Sequence, residues 1–199
     1  MKPLRDLWFM FVLTSICTLV LVLSELYYQQ KLADDPVLMR RVLNLATGVV
    51  PADHEIRARF QDLFEICRSA AFKGLVYRHR QNPTVLVREE EGAGLWGTIG
   101  LLVAFDAAQD RVLGLEVLSH SETPGLGARI EEPTFLAQFK NLVVGRGVRA
   151  AKIRFREGEF DAVSGATMTS KAVEEIVNRA VSRMRLVAAE PASKAVQQP

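Results

Sequence analysis

Hydrophobic residues near the start of the chain form one uninterrupted run. Leu7–Ser24 contains 18 residues without a charge, "LWFMFVLTSICTLVLVLS", and a helix of that length covers about 27 Å at ~1.5 Å per residue. Lys2 and Arg5 precede the run and Glu25 follows it, so the positive-inside rule places the N-terminus in the cytoplasm. The pattern predicts a retained, single-pass transmembrane helix, with a cleaved signal peptide as the alternative.

The segments after this run predict helices first, then strands, then a last helix. One helix begins at Pro36, and a second amphipathic helix runs from Pro51 to about Ser69. Two hairpins follow, "GLVYRHR" with "TVLVREE" and "TIGLLVAFD" with "RVLGLEVLSH". After them, "EEPTFLAQFKNL" reads as helical, "VRAAKIRF" as a strand, and Ser170–Leu186 as a final helix. This order predicts an α+β fold, an antiparallel sheet flanked by helices, with one N-terminal transmembrane helix.

The same patterns divide the chain into four segments. Residues 1–30 form the cytoplasmic N-terminus and the transmembrane anchor, and residues 31–70 form a helical linker region. Residues 71–187 form a folded domain on the far side of the membrane. Residues 188–199 carry no apolar period and are expected to be a flexible tail.

Composition and charge narrow the classes of function. The 199 residues include 25 Lys and Arg against 23 Asp and Glu, which gives a formal net charge of +2. Because binding to phosphate backbones needs a clustered excess of cations, we expect no nucleic-acid partner. The charged fraction of 24% argues against disorder, while the mean hydropathy of +0.10 reflects the apolar run.

Cysteine and histidine positions add little chemistry. Cys67 has helical spacing with Ile56 and Phe60, so it is predicted to be a buried core thiol. His54 and His79 have no recognisable metal-ligand spacing, and we expect neither a metal site nor a catalytic residue.

A glycine-rich segment at Gly92–Gly97, "GAGLWG", fits the letters of the dinucleotide-binding fingerprint. That fingerprint must leave a strand and open a helix, whereas this segment leads into a β-branched, apolar run. We therefore interpret it as a turn between two strands. Close passage of its backbone beside a ligand is a further possibility that the missing side chains allow.

The segment Asp161–Val173, "DAVSGATMTSKAV", places small residues and hydroxyls just before a strong helix. Free amides and the positive end of the helix dipole meet hydroxyl side chains there, which suits a phosphate group. A helix N-cap rich in Ser and Thr, without a ligand, explains the composition equally well.

Three motifs together resemble a known family. "SGATMTS" at Ser164–Ser170 resembles the flavinylation motif of the FMN-binding domains in the Rnf complex G subunit and the Na⁺-translocating NADH:quinone reductase C subunit. "ETPGLG" at Glu122–Gly127 is similar to a second signature of these domains, and "GAGLWG" to a third. The resemblance runs from about Gly74 to Met184.

The resemblance implies a covalent cofactor. FMN would be esterified through its phosphate to Thr167 by a separate flavin transferase after export. The cofactor-binding residues that the resemblance implies are Ser164, Gly165, Ala166, Thr167, Thr169, Ser170, Glu122, Thr123, Pro124, Gly125, Leu126, Gly127 and Trp96.

Three side chains near these motifs have alternative interpretations. Trp96 either stacks near the flavin ring or is a core tryptophan. His120 either caps the end of a strand or, with Glu122, moves protons to the flavin. Arg129 either offsets flavin charge or is a solvated cation at a helix start.

The function implied is that of an electron-transfer subunit in an ion-translocating Rnf-type oxidoreductase complex of the cell inner (cytoplasmic) membrane. Its partners would be the other membrane subunits, and its FMN domain would be periplasmic. "HSETPGLG" and "SKAV" favour the Rnf G subunit over the quinone reductase C subunit, which is the alternative. An anchored, non-redox module that binds a phosphate ligand and a structural accessory subunit are the alternatives from other classes.

Overall fold

The computed structural model describes residues 2–33, 35–69 and 71–190. The chain forms two compact units, Met1–Met39 and Arg40–Pro199. The first contains the apolar N-terminal helix, and the second contains the sheet and the three predicted motifs. Of the predicted tail 188–199, residues 191–199 lie outside the described part of the chain.

The N-terminal helix, α1, spans Lys2–Ala33 and includes the apolar run Leu7–Ser24, which is long and apolar enough to cross a membrane. The hydroxyls inside this run donate hydrogen bonds to carbonyls one turn earlier, at 2.8 to 2.9 Å, from Thr14, Ser15 and Thr18. A hydroxyl that donates its hydrogen bond within its own helix does not require a water molecule as acceptor, so it can lie in a bilayer. The helix therefore has the properties predicted for a single span.

Helix α2, Pro36–Thr47, begins where the sequence predicted, because Asp35 accepts a hydrogen bond from the Val37 backbone N–H at 2.8 Å and proline fits the first helical position. The next segment differs from the prediction. Helix α3 covers only Ile56–Leu63, and Phe64–Arg68 forms strand β1 instead of continuing a helix to Ser69.

Six strands form an antiparallel sheet in which each strand pairs with the next along the chain. The two predicted hairpins form four of these six strands. The strands after β1 are β2 (Leu75–His79), β3 (Val85–Ala93), β4 (Thr98–Asp106), β5 (Arg111–Ser119) and β6 (Leu142–Val143). Strand β4 is buried from Ile99 to Asp106, as expected of a central strand covered on both faces.

Shorter elements complete the second unit. Two 3-10 turns, Gly127–Glu131 and Ala137–Phe139, flank helix α4, Pro133–Leu136. Strands β7 (Arg149–Ala151) and β8 (Glu159–Asp161) form a small parallel pair. The strand predicted from "VRAAKIRF" is therefore too long, because residues 152–158 form a loop.

The last helix, α5, spans Thr167–Ala189 and packs on β3 and β4. Its predicted apolar face is buried: Val173, Ile176, Val177, Ala180 and Met184. Cys67 is also buried, as predicted, and burial is the main reason that its pKa rises to about 11. The architecture confirms an α+β fold with an antiparallel sheet flanked by helices.

A buried carboxylate joins the sheet to α5. Glu90, on β3, is only 4% exposed. Its oxygens accept hydrogen bonds from Arg88 Nε at 2.8 Å, Arg179 Nε at 2.8 Å and Arg183 Nη1 at 2.5 and 2.7 Å. Burial alone would raise the pKa of Glu90, but the three guanidinium groups lower it below its ordinary value.

We expect Glu90→Ala to lower the free energy of unfolding by about 3 kcal/mol, since removing one member of a buried ionic cluster leaves uncompensated charge. Urea unfolding of the detergent-solubilised chain, followed by near-UV circular dichroism, measures this loss. The exposed neighbour Glu91 provides a matched control, and Glu91→Gln should stay within about 0.5 kcal/mol. Equal losses in the two variants would contradict the structural role assigned to Glu90.

Candidate functional site

Three segments that are distant in sequence meet at the side chain of Glu122, which is 5% exposed. Its Oε1 accepts hydrogen bonds from the backbone N–H groups of Leu95 at 2.8 Å and Trp96 at 3.1 Å, in the turn between β3 and β4. Its Oε2 accepts a 2.6 Å hydrogen bond from the hydroxyl of Thr169, in the first turn of α5. Glu122 thus connects all three motifs identified in the sequence.

The electrostatics of Glu122 favour an ionised carboxylate. Burial alone would raise its pKa, but the hydrogen bonds from the Thr169 hydroxyl and from the Trp96 and Leu95 amides favour the charged form. Together they lower the pKa of Glu122 below its ordinary value. Two successive amides directed at one oxygen are a common arrangement for holding an anion.

Two glycines allow the backbone to approach this carboxylate closely. A Cβ atom on Gly94 would lie 2.5 Å from Glu122 Oε1, and one on Gly127 would lie 2.6 Å from Oε2 and 2.8 Å from Thr169 Oγ1. Real Cβ atoms do not approach other atoms so closely. Packing around Glu122 therefore requires the missing side chains of Gly94 in "GAGLWG" and Gly127 in "ETPGLG".

Replacing Gly127 with alanine should cost about 3 kcal/mol of unfolding free energy, because the new methyl group displaces the carboxylate or the hydroxyl that it bonds. Gly125→Ala is the matched control in the same turn. No atom lies within 4 Å of the position that a Cβ on residue 125 would take. The substitution should therefore lower the unfolding free energy by only about 1 kcal/mol, because alanine disfavours the backbone angle φ of +75°. Thermal unfolding of both variants measures the difference, and a control at least as damaging as Gly127→Ala would refute the steric argument.

The start of α5 presents the SGAT hydroxyl. Gly165 adopts φ +79°, a conformation that favours glycine, and Ala166 precedes the helix without a side-chain hydrogen bond to cap it. Thr167 is the first helical residue and is exposed. An exposed hydroxyl therefore lies at an uncapped helix N-terminus, where backbone N–H groups and the helix dipole favour negative charge.

The other two hydroxyls of the motif are buried and engaged by the protein itself. Thr169 donates to Glu122, while Ser170 donates to the Ala166 carbonyl at 3.0 Å and accepts from the Val163 N–H at 2.9 Å. Both hydroxyls shape the start of the helix. Their predicted part in holding a phosphate stays a prediction.

Exposed apolar side chains occur in all three segments joined at Glu122. They are Leu95 and Trp96 in the glycine turn, Leu126 in "ETPGLG" and Met168 beside Thr167. Trp96 is 69% exposed, so the alternative that it is a core tryptophan is wrong. Leu95 and Met168 were not among the predicted site residues, and the only signal for them in the sequence is their position directly beside Trp96 and Thr167.

His120 and Arg129 have partners within the protein. The Nδ1 atom of His120 accepts a 3.0 Å hydrogen bond from the Glu122 N–H, and its Nε2 lies 3.1 Å from a Glu131 oxygen. Arg129 pairs with Glu132 at 3.0 Å on the surface. These contacts give His120 a positioning role next to Glu122. Across the described ranges, no group of three or more His, Cys, Asp or Glu side chains could hold a metal ion.

Residues 94–182, which include all three segments at this site, match the family model described as the FMN-binding domain. This part of the chain is similar to FMN-binding domains. The resemblance carried by "GAGLWG", "ETPGLG" and "SGATMTS" is thereby confirmed, and FMN is the cofactor of the domain.

Two curated relatives match part of the chain. The chain is 39% identical over 95 residues to the G subunit of an ion-translocating oxidoreductase complex from Methanosarcina acetivorans, covering 48% of this chain and 48% of the relative. It is 37% identical over 123 residues to the G subunit of the same kind of complex from Pseudomonas aeruginosa, covering 58% and 57%. The chain spans about half the length of the curated relatives it matches.

A solved structure shares the fold of the domain. The crystal structure of the C subunit of Na⁺-translocating NADH-quinone reductase from Parabacteroides distasonis superposes with a TM-score of 0.62 at 23% identity. The match covers 81% of this chain and 96% of the other. The FMN-binding domain of this chain therefore has the fold of that protein.

The residues at the site fit FMN. An exposed hydroxyl at an uncapped helix N-terminus suits the phosphate. The exposed apolar side chains, with Trp96 the largest of them, suit a planar aromatic ring.

Proposed function

We propose that this chain is a membrane-anchored electron-transfer subunit that carries FMN covalently bound through its phosphate to Thr167. The observation that carries the proposal is the exposed Thr167 hydroxyl at the uncapped start of α5. The Glu122 carboxylate joins that helix start to the other two motifs.

Each predicted site residue has a physical role in this proposal. The first amides of α5 stabilise the phosphodiester charge, and the small side chains of Gly165 and Ala166 leave room for the phosphate. Ser164, exposed before them, donates a further hydrogen bond. The turn at Thr123–Leu126 and the indole of Trp96 flank the flavin ring, while Thr169 and Ser170 hold the helix start in position.

Attachment to Thr167 requires an activated donor, because a free phosphate does not esterify a hydroxyl spontaneously. We propose that a flavin transferase uses a flavin dinucleotide. The threonine Oγ–P bond forms, the P–O bond of the pyrophosphate breaks, a nucleoside monophosphate leaves, and the hydroxyl proton passes to a base on the transferase. A covalent tether keeps the cofactor at a permanent local concentration.

When bound, FMN supplies one- and two-electron redox chemistry. The chain holds it where electrons can pass between partner subunits, and the proposed partners are the other membrane subunits of an Rnf-type ion-translocating complex. Both relatives are named as G subunits, which favours this assignment. The second candidate is the C subunit of a Na⁺-translocating NADH:quinone reductase, because a protein of that name has the same fold.

The proposed location is the inner membrane. α1 would cross the bilayer once with Lys2 and Arg5 on the cytoplasmic side, which places the FMN domain in the periplasm. The proposed boundaries are residues 1–30 for the anchor, 31–70 for the linker, 71–187 for the FMN domain and 188–199 for the tail.

The proposed function is tested by coexpressing the full chain with a flavin transferase and purifying it from membranes. A band that fluoresces as flavin in a denaturing gel, together with copurification of other complex subunits from native membranes, supports the proposal. A colourless chain from such cells would contradict it and favour a non-redox phosphate-binding module.

A further inference from the structure

The loop between β7 and β8 presents an aromatic side chain to solvent. Residues 152–158 read "KIRFREG", and within them Phe155 is 85% exposed and Ile153 is 60% exposed. Phe155 is the most exposed of the large hydrophobic side chains whose exposure the structure describes. The three sequence motifs and the Glu122 site do not use this loop.

The carboxylates of Glu159 and Asp161 accept hydrogen bonds from the backbone of the loop and fix its conformation. The backbone N–H groups of Phe155 and Arg156 donate to Glu159 Oε2 at 3.0 and 3.1 Å. The N–H of Arg154 donates to Asp161 Oδ1 at 2.6 Å. The hydrogen bond from the Phe155 amide is the largest cause of a lowered pKa at Glu159, so this carboxylate is charged at neutral pH. The exposure of Phe155 is therefore a feature of an organised loop.

Cations surround the apolar tip. The exposed basic side chains on and beside the loop are Arg149, Lys152, Arg154 and Arg156, and Glu157 is the exposed acidic residue among them. Within the described part of the chain, none of these four side chains forms a salt bridge. Arg149 and Arg156 interact with the Glu159 carboxylate and make smaller contributions to its lowered pKa. The tip thus combines exposed apolar side chains with four exposed cations.

We propose that this loop docks on an anionic phospholipid bilayer. Phe155 and Ile153 enter the boundary between headgroups and acyl chains, and the four cations bind lipid phosphates. An aromatic side chain flanked by Lys and Arg is the combination that binds such interfaces. The inference rests on the proposed anchoring by α1, because a tether gives the loop a high effective concentration at the membrane and lets a weak contact suffice. Docking would restrict rotation of the FMN domain relative to the bilayer.

Tryptophan fluorescence in vesicles tests the docking. The full chain carrying Phe155→Trp is reconstituted into phosphatidylcholine vesicles with or without phosphatidylglycerol, using lipids brominated along their acyl chains. We expect a blue shift and quenching beyond the background of the parent chain, and only in the anionic vesicles. Leu186→Trp, at an exposed apolar position on α5, is the matched control and should not be quenched.

Charge variants test the electrostatic part of the proposal. Replacing Lys152, Arg154 and Arg156 with Gln in the Phe155→Trp chain should reduce the ratio of docked to undocked loop about fivefold per cation, or about a hundredfold together. The loop also carries trypsin sites at these three positions, so docking should slow cleavage there in anionic vesicles.

Four outcomes would overturn the proposal, the last of them a chain that floats with vesicles but is not quenched. One is equal quenching of the Phe155→Trp and Leu186→Trp chains, and another is quenching that survives removal of the three cations. The third is protection from trypsin only when other subunits of the complex are present, which would assign the loop to a protein contact. Vesicle flotation is measured in parallel: a chain that does not float contradicts the anchoring itself, whereas a floating chain without quenching contradicts only the docking.

Discussion

Replacing Thr167 with alanine will reduce covalently bound flavin to background while leaving the FMN-binding domain folded. The threonine is exposed at the first helical position, so its removal leaves the core and the Glu122 hydrogen bonds intact. Alanine is also a good helix former, which keeps the expected change in unfolding free energy within about 0.5 kcal/mol. Flavin fluorescence of the chain in a denaturing gel, normalised to protein, measures the effect.

Two controls separate the linkage from general damage to the site. Thr167→Ser keeps a hydroxyl at the same helix position and should retain covalent flavin. Ser164→Ala removes the other exposed hydroxyl of the motif and should also retain it. An unchanged flavin band in Thr167→Ala, or a loss in Ser164→Ala as complete as in Thr167→Ala, would contradict the assignment.

The second large effect is expected for Glu122→Ala. This substitution removes the acceptor of three hydrogen bonds, from the Thr169 hydroxyl and from two backbone amides, and leaves a cavity between three segments. We expect the free energy of unfolding to fall by about 3 kcal/mol, because buried donors lose a charged partner. Flavin loading at Thr167 should fall with it, since the helix start is no longer joined to the glycine turn.

Glu122→Gln is the matched variant for this prediction. The amide keeps the shape of the side chain and one acceptor oxygen, so it should lose about 1.5 kcal/mol, roughly half of the alanine effect. Near-UV circular dichroism during urea unfolding measures stability, and the flavin-to-protein ratio measures loading. Wild-type stability in Glu122→Ala would show that the carboxylate does not hold the site together.

The pH dependence of stability provides an independent check on Glu122. Its pKa is lower in the folded protein than its ordinary value of 4.5, so its stabilisation is present above that value. The contribution is lost as the pH falls through the lower folded-state pKa. Glu122→Gln lacks this titration, and the stability difference between wild type and variant should therefore shrink on acidification. A difference that stays constant down to pH about 3 would contradict the charged state of Glu122.

Local patterns predicted most of the fold. The hairpins of β2 with β3 and β4 with β5 could be identified because each combines strand-forming residues with a short turn. Helix α5 was predicted from one apolar face, and all five residues of that face are buried. Each of these patterns is formed by residues close together in the sequence, so it can be recognised without knowledge of the tertiary structure.

Strand β1 shows why the remainder was missed. Phe60 and Cys67 have helical spacing, and both are buried, but the chain leaves the helix at Leu63 and pairs Phe64–Arg68 with β2. Pairing with β2 provides hydrogen bonds that no local pattern encodes. The predicted length of β7 was wrong for the same reason. The strand ends at Ala151 because its partner β8 offers only three residues for pairing.

The site was predicted as three motifs, but the contact that joins them was not. Glu122 and Thr169 are 47 positions apart, and periodicity says nothing about such a pair. The signal in the sequence was the set of glycines in "GAGLWG" and "ETPGLG", two of which lie against the Glu122 carboxylate in the structure. Their missing side chains were interpreted as serving a turn or a ligand, whereas Gly94 and Gly127 make room for a side chain of the protein itself.

Peptide mass spectrometry can show whether FMN is attached to Thr167. The chain is purified from cells that express a flavin transferase and digested with trypsin, and the peptide 157–171 is fragmented to locate any modification. We expect this peptide to gain the mass of FMN less water, with the added mass on Thr167, and to lose it on alkaline treatment. An unmodified peptide, or FMN on Ser164, Thr169 or Ser170, would show that Thr167 is not the attachment site.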